Sequence, residues 1–194
     1  YLLSAIEILK NTTIWPELQF VWIGNGTLEN RFRSMAAEMG VDDSIHFLGS
    51  RNDIEDVLDA SDLFVLPSQY EGMPLSVIEA MAKRLPVIAS NVSGIPEALG
   101  STGFLIPDPR ANPTLASEQI SSVIETWGPR IRNGEKMGQN AYERACKLFK
   151  SKKMLQSYRE LVSLKLTKKL PQTYEIPTLA SVQTEDFGSV GEGV

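Results

Sequence analysis

The sequence is poor in the residues that build disulfides, metal clusters and membrane spans. Its one cysteine, Cys146, cannot form a disulfide framework and is typical of a protein kept in a reducing compartment. The sequence also has only one histidine, His46. A single histidine and a single cysteine argue against a zinc cluster and against a Cys-His nucleophilic pair. No apolar run approaches the ~20 residues that cross a bilayer, and the first residues, YLLSAIE, lack the basic region of a signal peptide. We therefore expect a cytoplasmic protein.

Basic residues are scarce in most of the chain. Residues 1–146 carry 11 basic and 19 acidic side chains, so this part is a poor partner for polyanions and we expect no nucleic-acid function. Residues 147–170 differ, with eight basic side chains and one acidic. A solvated helix face is the interpretation we favour for this stretch. Peripheral contact with the inner face of a membrane is the alternative.

Short apolar runs alternate with amphipathic stretches along the chain. The runs are rich in Val, Ile, Leu and Phe, which is typical of strands covered on both faces; they cover residues 18–24, 44–49, 62–68, 86–90 and 103–106. Helical patterns follow them at residues 28–39, 54–60 and 75–83, after Pro113, and twice between residues 132 and 166. This alternation predicts an α/β fold, a Rossmann-like parallel sheet flanked by helices.

A length of 194 residues fits one domain. We expect residues 1–170 to form it. From residue 171 the apolar periodicity stops, so residues 171–194 are predicted to be a disordered tail.

The densest cluster of reactive residue types is PSQYEGMPLSVIEAMA, residues 67–82. Ligands of open α/β sheets bind at the carboxyl ends of the strands. Here a strand is predicted to end near residue 67 and a helix to begin at about Pro74, a residue suited to a first helical turn. The backbone N–H groups of Met73, Leu75 and Ser76 would then be free to bind an anion, with the positive end of the helix dipole behind them.

Two glutamates flank this helix start. Glu79 comes four residues after Leu75 and therefore projects from the same face, one turn deeper, where its carboxylate can accept two hydrogen bonds from a vicinal diol such as a ribose. Glu71 precedes the helix and can face a second hydroxylated group beyond the phosphates. Either glutamate alone would be interpreted as an exposed charge. Their separation by seven residues, with Gly-x-Pro between them, favours a shared site.

This segment resembles the E-x7-E motif of retaining GT-B glycosyltransferases of group 1, also called family 4. Further segments are similar to the strands and turns of that family: FVWIGNG from residue 20, HFLG from 46, ASDLFVLPS from 60, PVIAS from 86, SGIPE from 93 and GFLI from 103. The resemblance covers about residues 1–166. It implies the C-terminal, donor-binding domain of such an enzyme.

The resemblance also implies residue roles. It places Glu79 at the nucleotide ribose and makes Glu71, near the donor sugar, the catalytic candidate. Ser50 and Arg51 become candidates for the base pocket, although a solvent-exposed loop arginine is an equal interpretation of Arg51. The other donor-binding candidates lie in the glycine turn and at the helix start: Gly24, Gly26, Gly72, Met73, Pro74 and Leu75.

The implied reaction transfers a sugar from a nucleoside diphosphate sugar to an acceptor with retention at the anomeric carbon. The departing diphosphate gains negative charge, and a helix N-terminus aimed at it is a preorganised stabiliser. We therefore expect no metal ion or other cofactor, and the chain contains no Asp-x-Asp motif.

One departure from the family concerns the start of the chain. The family places a central strand, an Arg and a Lys just before its first helix, whereas this sequence begins inside that helix at Tyr1. We therefore expect a donor-binding half that lacks its first strand, the Arg and Lys that clamp the diphosphate, and the N-terminal acceptor domain. Such a chain is expected to be inactive in isolation.

Three alternatives compete with this interpretation. A non-catalytic or degenerate nucleotide-sugar-binding fragment stays open, because the diphosphate clamp is missing. A dinucleotide-binding oxidoreductase is disfavoured, since Glu29 stands where the third glycine of G-x-G-x-x-G belongs. A nucleotide-sugar epimerase is disfavoured because His46 lies inside a predicted strand and is interpreted as a packed or edge residue.

Overall fold

The computed structural model describes residues 1–132 and 138–166, which alternate between strands and helices. The strands are β1 (Phe20–Ile23), β2 (Ile45–Gly49), β3 (Phe64–Leu66), β4 (Val87–Ser90) and β5 (Phe104–Ile106). The helices are α1 (Leu2–Leu9), α2 (Glu29–Met39), α3 (Ile54–Asp59), α4 (Leu75–Ala82), α5 (Ile95–Leu99), α6 (Pro113–Arg132), α7 (Gln139–Leu148) and α8 (Ser151–Leu166). Two short 3₁₀ helices cover Trp15–Glu17 and Asp42–Ser44.

The strands form parallel ladders, as the alternating pattern predicted. They are divided between two sheets: β1 pairs with β2, and β4 lies between β3 and β5. Within the described ranges no ladder joins β1 to β3. Each of these two strands therefore has one edge without a strand partner.

Helix α1 connects the cores of the two sheets. Ala5 and Leu9 pack into the cluster that contains Ile88 of β4. Leu3 and Ile6, one turn of the same helix, pack into the cluster beside β1 and β2. Because the helix is apolar on both of these sides, it holds the two sheets together where no backbone ladder does.

Strand β4 lies at the centre of its sheet and all of its residues are buried. Val87 faces the core under α4 and α7, while Ile88 faces the core under α1 and α6. The prediction that strands are covered on both faces is confirmed for β4. It is wrong for β1, where Val21 is 46% exposed. Among the described residues, a hydrophobic cluster packs only on the face of β1 that carries Phe20 and Trp22.

Helix α8 is the last element of the described residues. Leu155 and Tyr158 are exposed on this helix. None of the described helices combines the length and apolar content that crossing a bilayer requires. The predicted disordered tail, residues 171–194, and the domain boundary at residue 170 lie outside the described residues.

Candidate functional site

The β3–α4 loop, residues 67–74, leads from the carboxyl end of β3 to the start of α4. The helix begins at Leu75, as the helical pattern at residues 75–83 predicted. Pro74 is the N-cap, with φ −78° and ψ 81°, and its ring is buried. Its ψ is outside the helical range, so the proline precedes the first turn and does not lie within it.

The backbone donors at this helix start differ from the prediction in one respect. The Leu75 N–H donates to the Met73 carbonyl, N···O 2.9 Å, so it is not free for an anion. The N–H groups of Met73 and Ser76 have no hydrogen-bond partner in the part of the chain that is described. These two donors, at the positive end of the α4 dipole, are the ones available to a phosphate.

Glu71 is half-buried in the loop, and one of its carboxylate oxygens is already engaged. The Ser68 hydroxyl donates to Glu71 Oε1 over 2.7 Å. The second oxygen has no partner among residues 1–132 and 138–166. Glu71 therefore presents one fixed and one open oxygen at the carboxyl end of β3.

Glu79 lies on α4 as the helical spacing predicted. It is exposed, and so is Leu75, one turn before it. The Glu79 carboxylate makes no ion pair or hydrogen bond with any other described residue. It is consequently a charged acceptor, within one turn of Ser76 on α4, that no described residue engages.

The predicted glycine turn follows β1 and meets the end of β2. The Gly24 N–H donates to the Gly49 carbonyl over 2.8 Å, and both glycines have positive φ, +113° and +67°. Backbone of that kind favours glycine. The turn borders a cavity of about 140 Å³ beneath which Trp22 stacks on Phe47, with ring centroids 5.4 Å apart. Gly24 and Gly26 both line this cavity.

Ser50 and Arg51 are exposed in the loop after β2. The Arg51 guanidinium donates to Asp53, Nε···Oδ1 2.8 Å, and forms an ion pair with it. This hydrogen bond raises the pKa of Arg51 and lowers the pKa of the Asp53 carboxyl. Since Arg51 already has an anionic partner in its own loop, the geometry fits the exposed-arginine interpretation as well as a base pocket.

The structure gathers the candidates into two groups. Gly24, Gly26, Ser50 and Arg51 lie at the end of the β1–β2 sheet, while the residues from Glu71 to Glu79 lie at the end of β3. No hydrogen bond between described residues joins the groups. Both groups follow the carboxyl ends of strands, the edge where ligands of parallel sheets bind.

Sequence reasoning missed two residues that support Glu71, Ser68 within the same loop and Gly94 from the next one. Ser68 carries a usable signal, because a serine three residues before a glutamate in a loop can hydrogen bond to it locally. Gly94 carries none. Its contact with Gly72 depends on how the loops after β3 and β4 meet. His46, by contrast, is confirmed as an edge residue: it is exposed on β2 and its ring hydrogen bonds to Gln19.

Comparison with known proteins agrees with this architecture. The model of the family described as glycosyl transferases group 1 matches residues 1–144. An Escherichia coli relative, UDP-Gal:alpha-D-GlcNAc-diphosphoundecaprenol alpha-1,3-galactosyltransferase, is 40% identical over 95 residues, which are 48% of this chain and 24% of that protein.

Two solved structures show the same fold. The pneumococcal O-GlcNAc transferase GtfA, in complex with UDP and GlcNAc, superposes with a TM-score of 0.73 at 22% identity, over 85% of this chain and 32% of its own. HepE of Anabaena, in complex with UDP-glucose, superposes with a TM-score of 0.70 at 22% identity, over 82% of this chain and 44% of its own. The present chain thus spans less than half the length of each of these proteins.

Proposed function

Because the chain belongs to the group 1 glycosyl transferases, we propose that it is the donor-binding domain of a retaining, family 4 enzyme with a GT-B fold. Its ligand is a nucleoside diphosphate sugar. The observation that carries this proposal is the start of α4, where two backbone N–H groups that no described residue engages lie between two glutamates with open carboxylate oxygens.

Each part of the ligand has a matching group at this helix start. The diphosphate accepts hydrogen bonds from the N–H groups of Met73 and Ser76 and lies on the positive end of the dipole. The ribose hydroxyls donate to Glu79, and the sugar lies toward the open oxygen of Glu71. The UDP and UDP-glucose bound to the two superposed structures support a uridine nucleotide as the first probe.

The chemistry follows from where charge develops during transfer. As the glycosidic bond to the diphosphate breaks, negative charge accumulates on the leaving group and positive charge on the sugar ring. The N–H groups of α4 stabilise the negative charge on the leaving group, and the Glu71 carboxylate lies on the side of the positively charged sugar ring. We propose that this electrostatic arrangement works without a metal ion, and we assign no covalent nucleophile.

The remaining partners lie outside these residues. We propose that the acceptor binds a separate N-terminal domain and that a further parallel strand, with the diphosphate-clamping Arg and Lys, completes the sheet between the open edges of β1 and β3. A cytoplasmic location with peripheral membrane contact fits the basic stretch that includes Lys152 and Lys153 and the exposed Leu155 and Tyr158.

A binding fragment without catalysis is the second candidate. The open edges of β1 and β3 favour it, because they flank the two halves of the donor site. The two functions differ in one measurable respect. A transferase produces UDP from a UDP-sugar by passing the sugar to a hydroxyl acceptor or, without one, to water. A binding fragment binds UDP through Glu79 and Ser76 and produces none from a UDP-sugar.

The nucleotide assignment is tested by changing Glu79 to Gln. We expect the affinity for UDP to fall about 10-fold, since the neutral amide loses the charge-assisted acceptance from the ribose diol. Isothermal titration of UDP measures this. The control is Glu38→Gln on α2, an exposed glutamate without a partner among the described residues, which should leave the affinity unchanged. Equal affinities for wild type and Glu79→Gln would contradict the assignment.

A further inference from the structure

The Glu71 carboxylate is held by a neighbouring side chain. The Ser68 hydroxyl, directly after Pro67 at the end of β3, donates to Oε1 over 2.7 Å in a half-buried position. Both residues lie in one loop, so the bond fixes the rotamer of Glu71 relative to the strand. The second carboxylate oxygen is left for a ligand.

The backbone of Glu71 and Gly72 is supported from a different loop. The β4–α5 loop, residues 91–94, brings Gly94 against the Gly72 carbonyl oxygen, so that a Cβ at Gly94 would lie only 2.0 Å from that oxygen and 3.6 Å from Pro74 Cδ. The Gly94 N–H also donates to the Glu71 carbonyl over 3.4 Å. A side chain at position 94 would therefore push the β3–α4 loop away.

The supporting loop is itself fixed to the sheet. The Asn91 N–H donates to the Ile106 carbonyl of β5 over 2.7 Å, and the Ile95 N–H donates back to the Val92 carbonyl over 3.1 Å. Ser93 adopts a φ of +47°, which costs energy for a residue other than glycine. The turn is thus constrained at both ends and presents Gly94 in one position.

We propose that Ser68 and Gly94 are positioning residues for Glu71, Ser68 through the carboxylate and Gly94 through the backbone of residues 71 and 72. The inference rests on the proposed function, because it assigns the open oxygen of Glu71 to the sugar of the donor. Neither residue touches the nucleotide in this arrangement. Ser68 therefore affects turnover of a UDP-sugar and not the binding of UDP, while Gly94 affects both, since the β3–α4 loop that it supports also carries Met73.

The first test compares Ser68→Ala, Ser68→Thr and Ser34→Ala in the full-length protein. We expect Ser68→Ala to reduce UDP release from UDP-glucose or UDP-galactose about 10-fold with UDP affinity within twofold of wild type, since a small displacement of a reacting group is costly. Ser68→Thr keeps the hydroxyl and should restore most of the rate. Ser34→Ala, which removes an exposed hydroxyl on α2, should change neither quantity.

A double-mutant cycle separates positioning from a structural role. If Ser68 acts through Glu71, adding Ser68→Ala to Glu71→Gln produces no further loss of rate. Independent losses that multiply would overturn the inference. So would a Ser68→Ala rate equal to wild type. A wild-type protein that neither binds UDP nor releases it would instead overturn the proposed function, and this inference with it.

The second test replaces Gly94 with Ala and uses Asn91→Ala, an exposed position in the same loop, as the control. We expect Gly94→Ala to weaken UDP binding and slow UDP release at least 10-fold each, because the β3–α4 loop has to move by an ångström or more to admit the Cβ. Thermal melts of both variants report whether the fold persists. Wild-type affinity and rate in a folded Gly94→Ala variant would overturn the backbone part of the inference.

Discussion

Replacing Glu71 with Gln is expected to lower the release of UDP from a UDP-sugar by about 100-fold or more, while the affinity for UDP stays within about threefold. The amide has nearly the same shape but no charge, so it no longer stabilises the positive charge that develops on the sugar ring. In the proposed arrangement the open oxygen of Glu71 faces the sugar and not the nucleotide. UDP alone should therefore bind to the variant as it does to the wild type.

The experiment follows UDP release in a coupled assay with UDP-glucose and UDP-galactose, and UDP binding by titration calorimetry. Glu38→Gln, on the exposed face of α2, is the matched control for loss of one negative charge. A Glu71→Gln enzyme that retains more than a third of the wild-type rate would show that Glu71 is not the catalytic carboxylate. A large loss of UDP affinity would place Glu71 at the nucleotide.

The second large effect concerns the open edges of β1 and β3. We expect residues 1–194 alone to unfold at low denaturant concentration and to release no UDP from a UDP-sugar. Buried backbone groups without partners cost about 1–3 kcal/mol each, and a domain has only ~5–15 kcal/mol of stability in total. Phe20, Trp22 and the residues of β3 are half-buried, so water satisfies their open edge only in part.

A longer version of the protein that supplies a parallel strand between β1 and β3 should raise the free energy of unfolding by several kcal/mol and restore donor binding. Urea unfolding followed by circular dichroism compares the two chains. The N–H groups of Val21 and Val65 face the open edges, because N–H groups alternate along a strand and those of Gly24 and Phe64 bond on the other side. Their hydrogen exchange should slow in the longer chain. Cooperative unfolding of residues 1–194 with ordinary stability, together with measurable turnover, would show that the open edges are not limiting.

The strands and most helices could be predicted because their signals are local. Each apolar run is short and bounded by Gly or Pro, and the positions of β2 and β5 agree with the runs at 44–49 and 103–106 to within one residue. The five-residue helix Ile95–Leu99 was not predicted as a separate element, since it is too short to show a helical period. The division of the strands into two sheets cannot be predicted from any single apolar run, and only the resemblance to the family, with its central strand missing here, pointed to it.

The site shows the same division between local and non-local information. Sequence spacing placed Glu79 one turn beyond Leu75 on α4, and both side chains are exposed there. It could not indicate that the Leu75 N–H bonds to the Met73 carbonyl, because this depends on the ψ angle of Pro74. Sequence spacing could not indicate the contact between Gly94 and the Glu71 loop either, since the two segments belong to different strand-to-helix connections.

A crystal structure of the protein with UDP tests whether a nucleoside diphosphate binds at the start of α4. We expect diphosphate oxygens within hydrogen-bond distance of the Met73 and Ser76 N–H groups, and both ribose hydroxyls on the Glu79 carboxylate. UDP bound in the cavity between Gly24 and Phe47, with Glu79 left in solvent and the α4 N–H groups unoccupied, would contradict this expectation.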